Sequence, residues 1–329
     1  MLGAAAPKRM VENPFFIVGS GRSGTTVLRL MINMHSRLRV PRESWFLIPL
    51  LDTLPLSGPL RKDEKEQAFE MISSHSRWKD WECEDAVLRR AIFDPEIADL
   101  AALVNRIYFD CAGMNGKPRW GDKTPKYSYY VMKLHEVFPT ARFIHLYRDA
   151  RDTCVSMRNG GWCEGDIQRI VRQWVGMTRA AREGAKLGPD HYLEVSYEAL
   201  VTNPEEHLRK ICDFLGEPYQ PEMLDFYLTA AKETAPWEDG IHLKTRSPVG
   251  AANIGTWRKE LSRWELWVVE AYASATMQTV GQAIALPPAT APLRWALRSA
   301  LEARFRLGLL WQKVKSRLAF CAPRGQESN

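Results

Sequence analysis

Between Gly19 and Thr26 the chain reads G-S-G-R-S-G-T-T, three glycines, four hydroxyls and one guanidinium in eight residues. Glycines let the backbone approach an anion with no Cβ in the way. Hydroxyls and backbone N–H groups at the start of a helix, with the positive end of its dipole, donate to that anion. The spacing matches a nucleoside-triphosphate loop, G-x-x-x-x-G-K-[ST], but Thr25 stands where the lysine that reaches the β- and γ-phosphates belongs. The cation present is Arg22, inside the loop. The bland alternative is a turn that merely needs glycines.

Such a loop must be held between a strand and a helix. Phe15–Val18 is a short apolar run closed by Gly19, which suits a buried parallel strand. Thr25–His35 follows with apolar residues at helical spacing. Further along, 141–147 and 191–195 read as strands, and 165–187 and 204–215 as helices, the last stopped by Gly216. The alternation predicts an α/β fold, a P-loop-containing parallel sheet flanked by helices. Residues from about 45 to 118 are mostly helical in pattern and read as an insertion that walls a cleft. From 234 to 256 the chain is polar, without period, and long enough to suggest a lid or binding loop. LPPATAP at 286–292 reads as a linker, dividing a domain over 1–286 from a linker and basic C-terminal helix over 287–329.

RFIHLYRDARDTCVSM, 142–157, puts Arg148 at a strand end and Ser156 eight residues on. With the R-S-G-T-T loop, this resembles the sulfotransferases that use 3′-phosphoadenosine 5′-phosphosulfate (PAPS), in the form seen in carbohydrate, glycosaminoglycan and tyrosylprotein enzymes. The resemblance covers roughly residues 14 to 265. It implies PAPS as co-substrate, no metal, and a hydroxyl acceptor on a carbohydrate, a glycolipid or a peptidyl tyrosine. It implies that Gly21, Arg22, Ser23, Gly24, Thr25 and Thr26 hold the 5′-phosphosulfate, and that Arg148 and Ser156 hold the 3′-phosphate, a role suited to the planar guanidinium fork. Tyr197, in the strand-then-Y-E-x-L segment, would lie near the adenine or ribose, and Arg246 would add a second 3′-phosphate contact, although the family's R-K-G signature is not spelled out there. Glu43, in R-E-S-W-F, occupies the place of the family's glutamate base. Trp45 and Phe46 beside it are positioned to raise its pKa. Lys123, in G-D-K-T-P, resembles the family's second cation toward the leaving phosphate, with Arg22 the first. The plainer readings are a surface glutamate at 43, a loop lysine at 123, a tyrosine that only packs at 197, and solvated charges at Asp122, Lys126, Asp149, Arg151 and Asp152. His145, in a strand, reads as a satisfied core histidine.

Composition narrows the classes. The chain has 329 residues, enough to bury a core without staples. Six scattered cysteines without a C-x-x-C pair argue against zinc and for a reducing compartment. The N-terminal segment has no apolar stretch for a leader or anchor, so the expected address is cytoplasmic. The net charge is +6, and residues 292–329 carry eight basic against two acidic groups, so the whole excess lies in the tail and the body is neutral. That removes the support a high pI would lend to nucleic-acid binding. The tail mixes Trp295, Leu297, Leu301, Phe305, Leu309 and Trp311 with basic residues. It reads equally as a membrane-surface helix, which would place the enzyme at the membrane periphery, or as a helix packed on the domain. A kinase-like P-loop phosphotransferase and an inactive nucleotide-binding or membrane-scaffold protein of the same fold are the rival readings. The missing lysine disfavours the first; retention of Glu43, Lys123 and both phosphate motifs disfavours the second.

Overall fold

The computed structural model describes residues 13–233 and 243–321, with side chains described for 13–233 and 245–307. Five strands, β1 (Phe15–Val18), β2 (Leu38–Arg39), β3 (Arg119–Asp122), β4 (Arg142–Tyr147) and β5 (Tyr192–Ser196), form one sheet in the order β2-β3-β1-β4-β5. Every pairing is parallel. Helix α1 (Thr25–Asn33) follows β1. Four helices, α2 (Leu47–Thr53), α3 (Lys62–Ser73), α4 (Asp85–Ile92) and α5 (Leu100–Cys111), fill the stretch between β2 and β3. Then come α6 (Val131–Val137), α7 (Ala150–Asn159), α8 (Ile167–Arg182), α9 (Tyr197–Thr202), α10 (Pro204–Leu215), α11 (Ala230–Glu233), α12 (Trp257–Glu260), α13 (Arg263–Thr279) and α14 (Ala291–Cys321).

The period of two along a strand divides the core. Phe16 and Val18 face the insertion side with Phe143, Trp120 and Tyr127, while Phe15 and Ile17 face the opposite layer with Leu28, Ile144 and Leu146. Phe16 stacks on Phe143 with ring centroids 5.4 Å apart. A third apolar cluster joins α7, α8 and α13. With β1 central and buried on both faces, the loop at its C-terminal end is held at the crevice where ligands of open α/β sheets bind.

Strands β2 and β3 are additions to the sequence reading. β3 is R-W-G-D, a strand with charged ends, and both charges are buried by partners far away in sequence. Arg119 donates from Nε to the Asn13 carbonyl at 2.7 Å and pairs with Glu217 at 3.7 Å. In the 234–256 stretch, 234–242 lie outside the described residues; Leu243–Arg246 and Ala251–Asn253 form short 3-10 turns.

Helix α14 turns one stripe inward. Arg294 lies 3.6 Å from Glu270, Glu302 pairs with Arg172 at 3.3 Å, and the Arg172 guanidinium covers the Phe305 ring at 4.0 Å. Leu301 packs against the α7–α8–α13 cluster. Leu293, Trp295 and Leu307 are exposed. The expected apolar face of the tail is therefore split between two sides of the helix. The side chains of Leu309 and Trp311 lie outside the described residues. Among the described residues no helix is long and apolar enough to cross a membrane.

Candidate active site

The loop leaves β1 through Gly19, at φ +148°, and enters α1 through Gly24, at φ +91°. A side chain at Gly19 would meet the Leu146 carbonyl oxygen at 2.2 Å, and one at Gly24 would meet the Tyr197 ring at 2.3 Å. Gly19 N–H donates to Ser128 Oγ at 2.9 Å, and Ser23 N–H to the Ser20 carbonyl at 3.2 Å, which closes the loop. Arg22 itself has φ +65°, a left-handed conformation that costs an L-residue about 1–2 kcal/mol and is held by what surrounds it. Ser23 Oγ is buried and makes no hydrogen bond. A buried hydroxyl without a partner is costly, and an anion in the loop would supply one.

Two side-chain groups meet this loop. On the β4 side, α7 is capped by Asp149, whose Oδ1 accepts from Arg151 N–H at 2.8 Å. That start brings Ser156 back so that its Oγ accepts from Arg22 Nε at 3.2 Å. Arg148 is buried; its guanidinium donates to the Arg22 carbonyl at 3.3 Å and the Asn253 carbonyl at 2.6 Å, and lies 4.7 Å from the Tyr197 ring centroid. Its Nε has no partner. Arg148, Ser156 and Tyr197 thus gather around the loop at Arg22 and Gly24. Burial pushes the Arg22 guanidinium below its ordinary pKa, and Arg148 beside it pushes the same way. Two cations crowded in a partly dry site favour an anion between or beside them.

On the β3 side stand Glu43 and Lys123. Lys123 Nζ donates to Glu43 Oε1 and, at 3.3 Å, to Thr26 Oγ1. The two side chains are 19% and 3% exposed. Trp45 Nε1 donates to Glu43 Oε2 at 2.6 Å, from a residue at φ +38°. This corrects the expected pKa of Glu43. Burial acts to raise it, but the Lys123 charge and hydrogen bond, the indole N–H and the Arg77 charge outweigh burial and leave it lowered. Trp45 supplies a hydrogen-bond donor rather than an apolar wall, and Phe46 turns into the core against Trp78 and Trp81.

Four residues read as surface charges are buried or bound. Asp122 is fully buried and accepts from Ser44, Tyr108 and Thr124. Asp152 accepts from Gly255 N–H at 2.6 Å, Thr256 Oγ1 at 2.9 Å and Trp257 N–H at 2.9 Å, which pins the 253–257 segment onto α7. Arg151 pairs with Asp149 and Glu270 at 2.6 and 3.0 Å and covers the Trp257 ring at 4.1 Å. Lys126 is exposed. His145 is only half satisfied: Nδ1 meets Tyr192 and Glu194, while buried Nε2 has no partner. Arg246 is exposed on its 3-10 turn, which packs on α11 and on 221–228. Sequence reasoning missed Asn253, Ser44 and Asp122. The nearest signal was the placement of Ser44 and Asp122 directly beside Glu43 and Lys123. No three His, Cys, Asp or Glu side chains gather as a metal site would need, among the described residues.

Similarity to known proteins agrees with this layout. The chain is 28% identical over 218 residues to a protein-tyrosine sulfotransferase of Drosophila melanogaster, covering 64% of this chain and 39% of that protein. The chain spans 30% to 52% of the length of the first three curated relatives it matches. The sulfotransferase domain from the curacin biosynthetic pathway superposes with a TM-score of 0.54 at 20% identity, covering 83% of this chain and 99% of that one. The sulfotransferase domain of the Synechococcus PCC 7002 olefin synthase gives 0.52 at 23% identity, covering 79% and 94%. These two share the fold. The sulfotransferase family profile matches residues 14–221, from the first residues of β1 past α10, and with well over half of its length so matched this chain belongs to the sulfotransferase family.

Proposed function

We propose that this chain moves a sulfuryl group from PAPS to a hydroxyl. The observation that carries the reading is the loop itself: Thr25 at the triphosphate-lysine position with Arg22 as the loop's cation, Ser23 Oγ buried and unpartnered, and the Lys123–Glu43 pair on one flank with Arg148 and Ser156 on the other. The donor brings an activated sulfuryl group on its 5′-phosphate. Ser23, Thr25, Thr26 and the N-terminal amides of α1 would hold that phosphosulfate. Arg148 and Ser156 would take the 3′-phosphate, and Tyr197, packed on Gly24, the nucleoside. In the reaction an S–O bond forms to the acceptor oxygen while the S–O bond to the 5′-phosphate breaks, leaving adenosine 3′,5′-bisphosphate. Glu43 takes the acceptor's proton. Lys123 and Arg22 stabilise the charge that grows on the departing phosphate oxygen, the kind of preorganised electrostatic help that such transfers need most.

The ion pair gives Lys123 two partners, Glu43 and Thr26. A lysine drawn toward the phosphosulfate at Thr26 frees Glu43, whose pKa then rises as its cation leaves. Base and cation would be released together, on donor binding. Calorimetric titration with adenosine 3′,5′-bisphosphate against ATP–Mg²⁺ tests the donor; tighter binding of ATP–Mg²⁺ would favour a phosphotransferase. The acceptor is a hydroxyl of a carbohydrate, a glycolipid or a peptidyl tyrosine, and the tyrosine-directed relatives make tyrosine peptides the first to try.

A second reading concerns placement. The outward side of α14 presents Leu293, Trp295 and Leu307 with exposed Arg304 and Arg306, in the segment that carries the chain's whole charge excess. Such a face suits an anionic membrane surface. Co-sedimentation with anionic vesicles should be lost in a chain ending at 286, and equal binding of both forms rules the face out.

A further inference from the structure

The Glu43 and Lys123 side chains come from loops 80 residues apart in sequence, and a base and a cation work together only if their loops keep register. The residue after Glu43 and the residue before Lys123 are joined: Ser44 Oγ donates to the Asp122 carboxylate. Thr124, on the other side of Lys123, donates to Asp122 Oδ1 at 3.0 Å and accepts from Ser44 N–H at 3.2 Å. Tyr108, from α5 of the insertion, donates to the same carboxylate, and Tyr127 OH meets Ser44 Oγ. Asp122, Ser44, Thr124, Tyr108 and Tyr127 are all fully buried. Five residues of three segments thus share one knot, whose only charged member is Asp122.

We propose that Asp122 is the positioning residue that locks the Glu43 loop, the Lys123 loop and the helical insertion into one reacting geometry. This rests on the sulfuryl-transfer reading of the same site. Asp122 touches neither donor nor acceptor in this scheme; it acts through Ser44 and Thr124 on the neighbouring backbone. Its ionised form accepts from three hydroxyls at once. A protonated Asp122 must donate to one of them, which reverses the direction of that hydrogen bond and of those that depend on it, and removes the charge that draws the three donors together. The groups facing it are Tyr108 from α5, Tyr127 from the turn after Thr124, Ser44 and Thr124, with the charge of Glu43 also acting on it. Burial against these groups, helped by Glu43, pushes its carboxyl up to about 6, while the hydroxyls pull the other way.

Steady-state kinetics of wild type, Asp122→Asn, Ser44→Ala and Tyr108→Phe test this, with adenosine 3′,5′-bisphosphate binding and thermal unfolding measured on the same samples. The expected result is a loss of kcat of about 10- to 100-fold in Asp122→Asn and Ser44→Ala, the scale of a misplaced reacting group, with the donor KM and bisphosphate Kd within about threefold of wild type. The wild-type kcat should also fall on the acid side near pH 6, and that limb should vanish in Asp122→Asn. Ser44→Ala, which removes the hydroxyl's links to Asp122 and Tyr127 without touching the charge, keeps the test alive if Asp122→Asn does not fold. Variants that melt earlier yet keep wild-type kcat and the acid limb overturn the proposal and leave Asp122 a purely structural group. Failure of the underlying reading looks different: wild type itself would show no transfer from PAPS.

Discussion

Glu43→Gln keeps the side chain's shape and its acceptor for the Trp45 indole, and removes only the charge. Two effects follow, and the structure separates them. The acceptor's proton loses its base, which costs about 10²- to 10⁴-fold in kcat for a positioned general base. Lys123, 3% exposed, loses the carboxylate it donates to. Breaking one half of a buried ion pair costs about 3–5 kcal/mol, and the partial exposure of Glu43 brings the expected figure to the low end or below. The variant should therefore be slow and less stable, with donor KM within a few-fold of wild type, because the proposed role of Glu43 is toward the acceptor's proton and not the donor's phosphates. The assay is label transfer from PAPS to an acceptor, with urea unfolding beside it. Glu43→Gln/Lys123→Met should recover stability, since no buried charge is then left alone, and stay inactive. A Glu43→Gln enzyme within about threefold of wild-type kcat would refute the base assignment, whatever its stability.

Other expectations follow from neighbouring contacts. Gly24→Ala places a Cβ 2.3 Å from the Tyr197 ring at a positive φ, which should cost about 1–3 kcal/mol in strain and weaken adenosine 3′,5′-bisphosphate binding through the displaced Tyr197–Arg148 stack; calorimetry reads it. Arg148→Ala should weaken donor binding by at least tenfold while leaving kcat at saturating donor less affected, whereas Arg22→Ala should lose kcat itself. Asp152→Ala releases Gly255, Thr256 and Trp257 from α7, so proteolysis in the 243–257 region should accelerate and donor KM should rise. Glu194 carries a carboxyl that burial would raise but that His145 and Arg182 hold down at about 2. Its folded pKa is depressed, so the stability it contributes is present above its unfolded value near 4.5 and is lost as pH falls toward 2. Glu194→Gln should flatten the acid-unfolding curve over that window, and an unchanged slope would contradict it.

The central strand, the loop and α1 are legible in the sequence because local rules and the fold agree there: an apolar run, glycines at positive φ, then helical spacing. Strands β2 and β3 are not. Leu38–Arg39 is too short to show a period, and Arg119 and Asp122 look like loop charges until Asn13, Glu217 and the hydroxyls of Ser44 and Tyr108 arrive from elsewhere in the chain. Among site residues, the resemblance to the sulfotransferases implies Arg22, Arg148 and Ser156, but not Arg22 Nε as the partner of Ser156 Oγ. The protonation behaviour of Glu43 was opaque for a physical reason: its neighbours in sequence are aromatic, while the group that decides its charge state lies 80 residues away. The tail misleads in a similar way, since Leu301 and Phe305 look like part of an exposed stripe until α8 and α13 cover them.

The most direct measurement is transfer of label from [³⁵S]PAPS by wild type, Arg22→Ala and Glu43→Gln, offered tyrosine peptides, glycans and lipid extracts in parallel. The expected result is labelled product with wild type in one acceptor class, without added metal, and its near-complete loss in both variants. Label from [γ-³²P]ATP but none from [³⁵S]PAPS, or equal transfer by Arg22→Ala, would contradict the sulfuryl-transfer assignment.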